Sequence, residues 1–305
     1  MDQALNQKID AYIAQNKEQL LKDIAALVAV NSVEGTPEEG APFGAGPRAA
    51  LDKTLELAAG MGFATRNCEN YIGYAELAGK DPEKYLATIC HVDVVPVGNG
   101  WTADPFTMRI QDGWLLGRGV ADDKGPMVAT LYALKFLKEQ GYELRYPIRA
   151  LAGTNEETHM QDVDYYLKNY PAPAFCFTPD AEFPVCNGEK MTEQIRAALG
   201  DGAELRDVTA AEPFYIEADS PAILACINTY NEVTGENAKP FTMGGGTYAR
   251  HFPYAVSFGP EHVDLPLPEF GGPMHGANEA APIDKLLEAV KIYIIALLRL
   301  EEIDF

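Results

Sequence analysis

Between Ile9 and Val30 the apolar positions fall at helical spacing and predict an opening helix. The stretch 31–47 is rich in Gly and Pro and reads as a loop. A second helix is expected over 48–62, stopping at glycine. Beyond it, apolar runs bounded by turn residues alternate with helical patterns. Strands are expected in 85–97, 147–157, 174–181 and 255–259, and helices in 126–141, 161–170, 220–235 and 283–300. Such alternation predicts βαβ units in an α/β fold, with a mixed, mostly parallel sheet and helices on both faces. The stretch 192–213 carries neither period strongly. No internal repeat or low-complexity tract divides the chain, so a single domain over 1–305 is expected.

Composition narrows this picture a little. The 305 residues are 47% hydrophobic, enough for a sizeable core. No apolar run approaches the ~18–20 residues of a membrane-spanning helix. The start, MDQALNQKID, lacks the basic and apolar regions of a signal peptide. Cys68, Cys90, Cys176, Cys186 and Cys226 are scattered and never form a CxxC pair. They read as free thiols in a reducing cytoplasm. A formal charge of −21 argues against nucleic acid and anionic membranes as partners. It leaves open whether some carboxylates hold metal.

Ligands of an open α/β sheet bind at the carboxyl ends of its strands. Residues suited to metal chemistry gather there. HVD supplies His91 and Asp93, and the turn ADDKG supplies Asp122 and Asp123. NEE supplies Glu156 and Glu157, TPDAEF supplies Asp180, and MHGANE supplies His275. Imidazole with carboxylate and without thiolate suits catalytic zinc, manganese or cobalt. Two histidines with several carboxylates exceed the needs of one ion. They suit a two-metal site whose ions lie ~3.5–4 Å apart across a bridging carboxylate. The adjacent Glu156 and Glu157 can divide the work, one as ligand and one as base.

At these residues the chain resembles the co-catalytic zinc metallopeptidases, the family of aminoacylase, carboxypeptidase G, succinyl-diaminopimelate desuccinylase and peptidase V. It is most similar to the peptidase V-type dipeptidases. The segments HVDVVPVGNGWTADPF, DGWLLGRGVADDKGP, GTNEET, TPDAEFPVCNGEK, GGGTYAR and MHGANE occur in the family's order and at family-like spacing. The resemblance spans roughly 10–190 and 214–300. It implies a zinc-dependent hydrolase that cleaves the amide bond of dipeptides or N-acyl amino acids through a hydroxide bridging two zinc ions. By the same resemblance, His91 and Asp180 hold one zinc, Glu157 and His275 hold the other, and Asp122 bridges them. Asp122 is joined to Asp123 by a cis peptide in the family. Glu156 is the implied general base, and Asp93 orients His91. The turn containing Gly245, Gly246, Thr247 and Arg250 is implied to receive the substrate carboxylate. His159, His251 and His262 match no ligand motif and read as surface groups. Trp101 and Phe106 read as packing residues.

The chain departs from the family in one place. Family members insert a lid domain after the NGEK segment, whereas here about 25 residues separate Lys190 from Phe214. The stretch 190–213 therefore reads as a short bridge in place of a lid. In the family the lid supplies a histidine that stabilises the oxyanion, and losing one such donor costs ~10²–10³ in rate. A second reading thus stays open: a lid-less metal-binding catalytic domain with little or no turnover. Because many members dimerise through the lid, a monomer is expected.

Overall fold

Helix α1 (Gln3–Val28) buries Ile9, Tyr12, Leu20, Ile24 and Leu27, and helix α2 (Ala45–Gly60) buries Ala50, Leu51 and Ala58. The computed structural model describes residues 3–189, 214–261 and 265–305. The expected bridge 190–213 and His262 lie outside the described residues. After α2 come strands β1 (Ala64–Cys68), β2 (Ile72–Leu77), β3 (Leu86–His91), β4 (Arg109–Gln111) and β5 (Trp114–Leu116). Helix α3 (Lys124–Glu139), β6 (Ile148–Gly153), α4 (Gln161–Asn169), β7 (Phe175–Thr178) and β8 (Cys186–Glu189) follow. The remainder is β9 (Phe214–Tyr215), α5 (Pro221–Thr234), β10 (Phe241–Met243), a 3-10 turn (Tyr248–His251), β11 (Ala255–Ser257), β12 (Ala280–Pro282) and α6 (Ile283–Leu300).

Among the described residues the main sheet has nine strands in the order β1-β2-β6-β3-β7-β11-β8-β10, with β9 paired to β8. The contiguous run β6-β3-β7-β11 is parallel. The antiparallel pairs β1-β2, β2-β6, β11-β8 and β8-β9 lie to either side of it. The mixed α/β architecture stands as expected, with parallel pairing confined to the βαβ units and to β10-β8. The β1-β2 hairpin escapes a hydrophobicity pattern because β1, ATRNC, is largely exposed.

Side chains alternate across the sheet, as a pleated strand requires. In β3, Leu86 and Cys90 join a large cluster with α1, α2, α3, α5 and α6, while Ala87 and Ile89 join a smaller one beneath α4 and the 3-10 turn. Both faces are therefore covered by helices. Helix α3 is buried around most of its circumference, as an internal helix should be. Its start is tight: a Cβ on Gly125 would lie 2.1 Å from the Val120 carbonyl oxygen.

Connectivity locates the site. From β3 the chain reaches β6 on one side, then returns past β3 to β7 on the other. Connections leaving in opposite directions open a crevice at the carboxyl ends of these strands. His91 is the last residue of β3.

Candidate metal centre

Five connections deliver the candidate residues to that crevice. β3 ends at His91, with Asp93 two residues on. Asp122 and Asp123 sit in the turn between β5 and α3, and the peptide bond joining them is cis. Glu156 and Glu157 follow β6, Asp180 follows β7, and His275 lies in the loop before β12. His91, Asp93, Asp122 and Asp123 are buried, whereas the His275 side chain is half exposed.

Asp122 is at the middle of the cluster. Its Oδ1 lies 2.7 Å from His91 Nε2, and its Oδ2 lies 2.7 Å from His275 Nε2. His275 Nε2 is also 3.1 Å from Glu157 Oε2. Ligand atoms of His91, Asp122 and Glu157 lie within 4.8 Å of one another, and so do those of His91, Glu156 and Asp180. Two ligands ~2.0–2.1 Å from a tetrahedral zinc are ~3.3 Å apart. The observed separations of 2.7–3.1 Å need about 0.2–0.6 Å of opening to admit cations. The donor set, two imidazoles and several carboxylates without thiolate, fits a pair of divalent ions.

The surrounding hydrogen bonds hold these groups in place. Asp93 accepts from the backbone N–H of Glu156 at 3.2 Å and of Glu157 at 3.1 Å. Its backbone oxygen lies 3.0 Å from His91 Nδ1, and its Oδ1 lies 3.5 Å from the same nitrogen. A proton on Nδ1 leaves Nε2 free as the ligand atom. Asp123 accepts from the His91 backbone N–H at 3.1 Å, which ties it to the structure around the site.

Electrostatics show how crowded the acids are. Burial, and then the charges of Asp180 and Asp122, push the Glu156 carboxyl well above the usual carboxylate range. Burial and the Asp122 charge raise Asp180 to about 7. Asp122 itself is held low: burial opposes this, but His91 and His275 outweigh it. His275 is raised to about 10 by its hydrogen bonds to Asp122 and Glu157. Without cations, protons and imidazolium charge must neutralise the cluster. A divalent ion does the same and inverts these shifts.

Several residues of this neighbourhood were given no role by the sequence. Buried Glu279 accepts from Arg118 Nη1 at 2.6 Å, and from the backbone N–H of Gly119 (3.0 Å), Ala121 (3.0 Å) and Asp122 (3.3 Å). Arg118 Nη2 donates to the His275 carbonyl at 3.2 Å. One ion pair thus holds the turn of Asp122 and the loop of His275 together. Buried Asp162 accepts from Thr154 N at 2.6 Å, Asn155 N at 3.0 Å and the Tyr248 hydroxyl, fixing the turn before Glu156. A signal existed for Glu279 only as the last letter of MHGANE.

The glycine turn is arranged differently. Gly245 and Gly246 are exposed. The backbone N–H and hydroxyl of Thr247 donate to Glu189 Oε1 at 3.0 and 2.8 Å, and Arg250 Nη2 lies 2.8 Å from Glu189 Oε2. Glu189, which sequence reasoning missed, therefore engages Thr247 and Arg250 internally. His159 is exposed, and His251 pairs with Asp164 at 3.0 Å. Trp101 is partly buried and lies 5.3 Å from the Arg118 guanidinium, and Phe106 is also partly buried.

Over 180 residues the chain is 41% identical to "Putative dipeptidase YtjP" of Bacillus subtilis, covering 58% of this chain and 38% of that protein. Over 177 residues it is 45% identical to "Beta-Ala-Xaa dipeptidase" of Lactobacillus delbrueckii subsp. lactis, covering 57% and 37%. The matched part of the chain thus spans under two-fifths of these relatives' length. Human carnosine dipeptidase 1 superposes with a TM-score of 0.74 at 14% identity, covering 97% of this chain and 99% of that one. An M20 family metallo-carboxypeptidase from Sulfolobus solfataricus superposes with a TM-score of 0.70 at 16% identity, covering 92% and 99%. The model of peptidase family M20/M25/M40 matches residues 87–299, so with the site geometry and the shared fold, the chain belongs to that family.

Proposed function

We propose that this chain is a two-zinc amide hydrolase acting on dipeptides or N-acyl amino acids. One observation carries the reading: each carboxylate oxygen of Asp122 faces a different histidine at 2.7 Å, the geometry of a carboxylate shared between two ions. His91 and Asp180 would hold one zinc, and Glu157 and His275 the other, with manganese or cobalt able to substitute. Two bound cations supply a lowered water pKa and a polarised substrate carbonyl.

The protein's own groups do the rest. Glu156 takes a proton from the attacking water and returns it to the leaving amine, a task suited to a carboxyl whose pKa is raised. Asp93 keeps His91 Nε2 turned to the metal and, through two backbone N–H groups, fixes the turn that carries Glu156. Gly245 and Gly246 can offer backbone N–H groups to a substrate carboxylate, while Thr247 and Arg250 brace that turn through Glu189. The five free cysteines are all buried, which supports a reducing, cytoplasmic setting. No described helix is long and apolar enough to cross a membrane. A monomer is the proposed solution state.

Zinc content and dipeptide hydrolysis, with and without added Zn²⁺ or Mn²⁺, test the reading. About two ions per chain with turnover that disappears in Glu156→Ala supports it. Metal uptake without turnover supports the lid-less, inactive alternative. No metal uptake at neutral pH overturns the site.

A further inference from the structure

A buried link joins the glycine turn to the turn that carries Glu156, and none of the proposed steps uses it. Tyr248 follows Thr247 directly and opens the 3-10 turn. Its side chain is fully buried, and its hydroxyl donates to Asp162 Oδ2. The same oxygen accepts the backbone N–H of Thr154 at 2.6 Å and of Asn155 at 3.0 Å. These are the two residues before Glu156. Asp162 Oδ1 accepts the Val163 N–H at 2.8 Å, so both oxygens are engaged at the start of α4.

The fit leaves little slack. A Cβ on Gly153 would lie 2.1 Å from the Tyr248 hydroxyl and 2.7 Å from Asp162 Oδ2, so glycine at the end of β6 lets the two groups meet. Gly153 is also the parallel partner of His91, and its carbonyl accepts from the Val92 N–H at 2.9 Å. The hydroxyl thus abuts the strand end that lies beside His91 and leads into Glu156. Burial, and then the charges of Asp162 and Asp93, hold this hydroxyl well above its ordinary range, so it stays a donor. On its other side the segment is anchored: Thr247 donates to Glu189, and its Oγ1 lies 2.9 Å from Ser257 Oγ. A phenylalanine ring would fill the same space as Tyr248. What the hydroxyl adds is a directed contact across 86 residues of chain, from the glycine turn to the residues that place Glu156.

We propose that Tyr248 is a positioning residue: a carboxylate docked at the glycine turn fixes Tyr248 and, through Asp162, the turn 154–157, so that Glu156 is set in place once the substrate's carboxylate has bound. The inference rests on the hydrolase reading above and deepens it. The free carboxylate of the substrate then acts on kcat as well as on binding.

Hydrogen exchange at the backbone N–H groups of Asn155, Glu156 and Glu157 tests this without turnover. The full chain is used, zinc-free and zinc-loaded, with N-acetylglycine and N-acetylglycinamide as probes that differ only in the carboxylate. N-acetylglycine is expected to slow exchange there about tenfold, the worth of one hydrogen bond to a charged group, and the amide is not. Tyr248→Phe keeps the ring, so it is expected to bind N-acetylglycine within about threefold of the unaltered chain and yet to lose the slowing. Asp162→Asn keeps the side-chain shape, is expected to give the same result, and serves if the first variant is unstable. In steady-state kinetics Tyr248→Phe should lose about tenfold in kcat on L-leucylglycine with KM nearly unchanged, and little on L-leucylglycinamide. A loss equal on both substrates marks a merely structural role and overturns the proposal. So does slowing by both probes, slowing that survives in Tyr248→Phe, or failure of N-acetylglycine to bind. Zinc content measured in the same samples separates the readings. Slowing without zinc uptake keeps the link and defeats the metal centre, and zinc uptake without slowing does the reverse.

Discussion

The metal centre and the glycine turn both carry recognisable sequence, yet they are built in opposite ways. At the metal centre, His91, Asp122, Glu157 and His275 turn their polar atoms toward one another, and with Glu156 and Asp180 the acids outnumber the bases. That arrangement is costly until a cation neutralises it. In the glycine turn, Arg250 and Thr247 point their polar groups at Glu189, and the charges cancel within the protein. The first region is suited to a bound cation. The second is complete by itself, and only its exposed glycines remain available to a ligand.

The difference can be broken by mutation, and the largest effect should come from Asp122. Asp122→Ala removes a group facing both histidines, so zinc affinity should fall by more than the ~10–100-fold typical of residues that only orient ligands. Zinc titration against a fluorescent chelator would show it, and unchanged affinity would count against a shared carboxylate. Glu156→Ala should leave zinc content intact while lowering kcat by ~10²–10⁴. Steady-state kinetics with metal analysis on the same sample separates the two effects. Glu279→Gln keeps the shape of the side chain but weakens its hold on Arg118 and the Asp122 turn. A loss of ~10–100-fold in metal affinity is expected, without loss of the folded state by circular dichroism. Glu189→Gln sharpens the contrast from the other side. It should cost ~1–3 kcal/mol of stability by leaving Arg250 poorly paired, seen as a lowered Tm, with zinc affinity unchanged.

What could be read in the sequence follows the same division. His91, Glu157 and Asp180 were singled out because each follows a strand that the apolar pattern reveals, and the structure brings their ligand atoms close to one another; the strand before Asp122 gave no such pattern. The long helices were legible for the same reason: the apolar faces of α1 and α6 repeat over many turns. Partners distant along the chain were not. Arg118 meets Glu279 across 161 residues, and Arg250 meets Glu189 across 61, and neither pair has a periodic signature. The β1-β2 hairpin was hidden because its outer strand is exposed and polar. Thr247 and Arg250 resembled a carboxylate-binding set on motif alone, and only the fold revealed that Glu189 holds them. Local chemistry is written in residue type and spacing, whereas pairwise compensation is written in the tertiary fold.

The central claim is that Asp122 is shared between two cations. Crystals grown with zinc and measured at the zinc absorption edge test it most directly. Two anomalous peaks ~3.5–4 Å apart, one toward His91 and one toward His275 with Asp122 between them, are the predicted result. A single peak, or two peaks that do not flank Asp122, would contradict it.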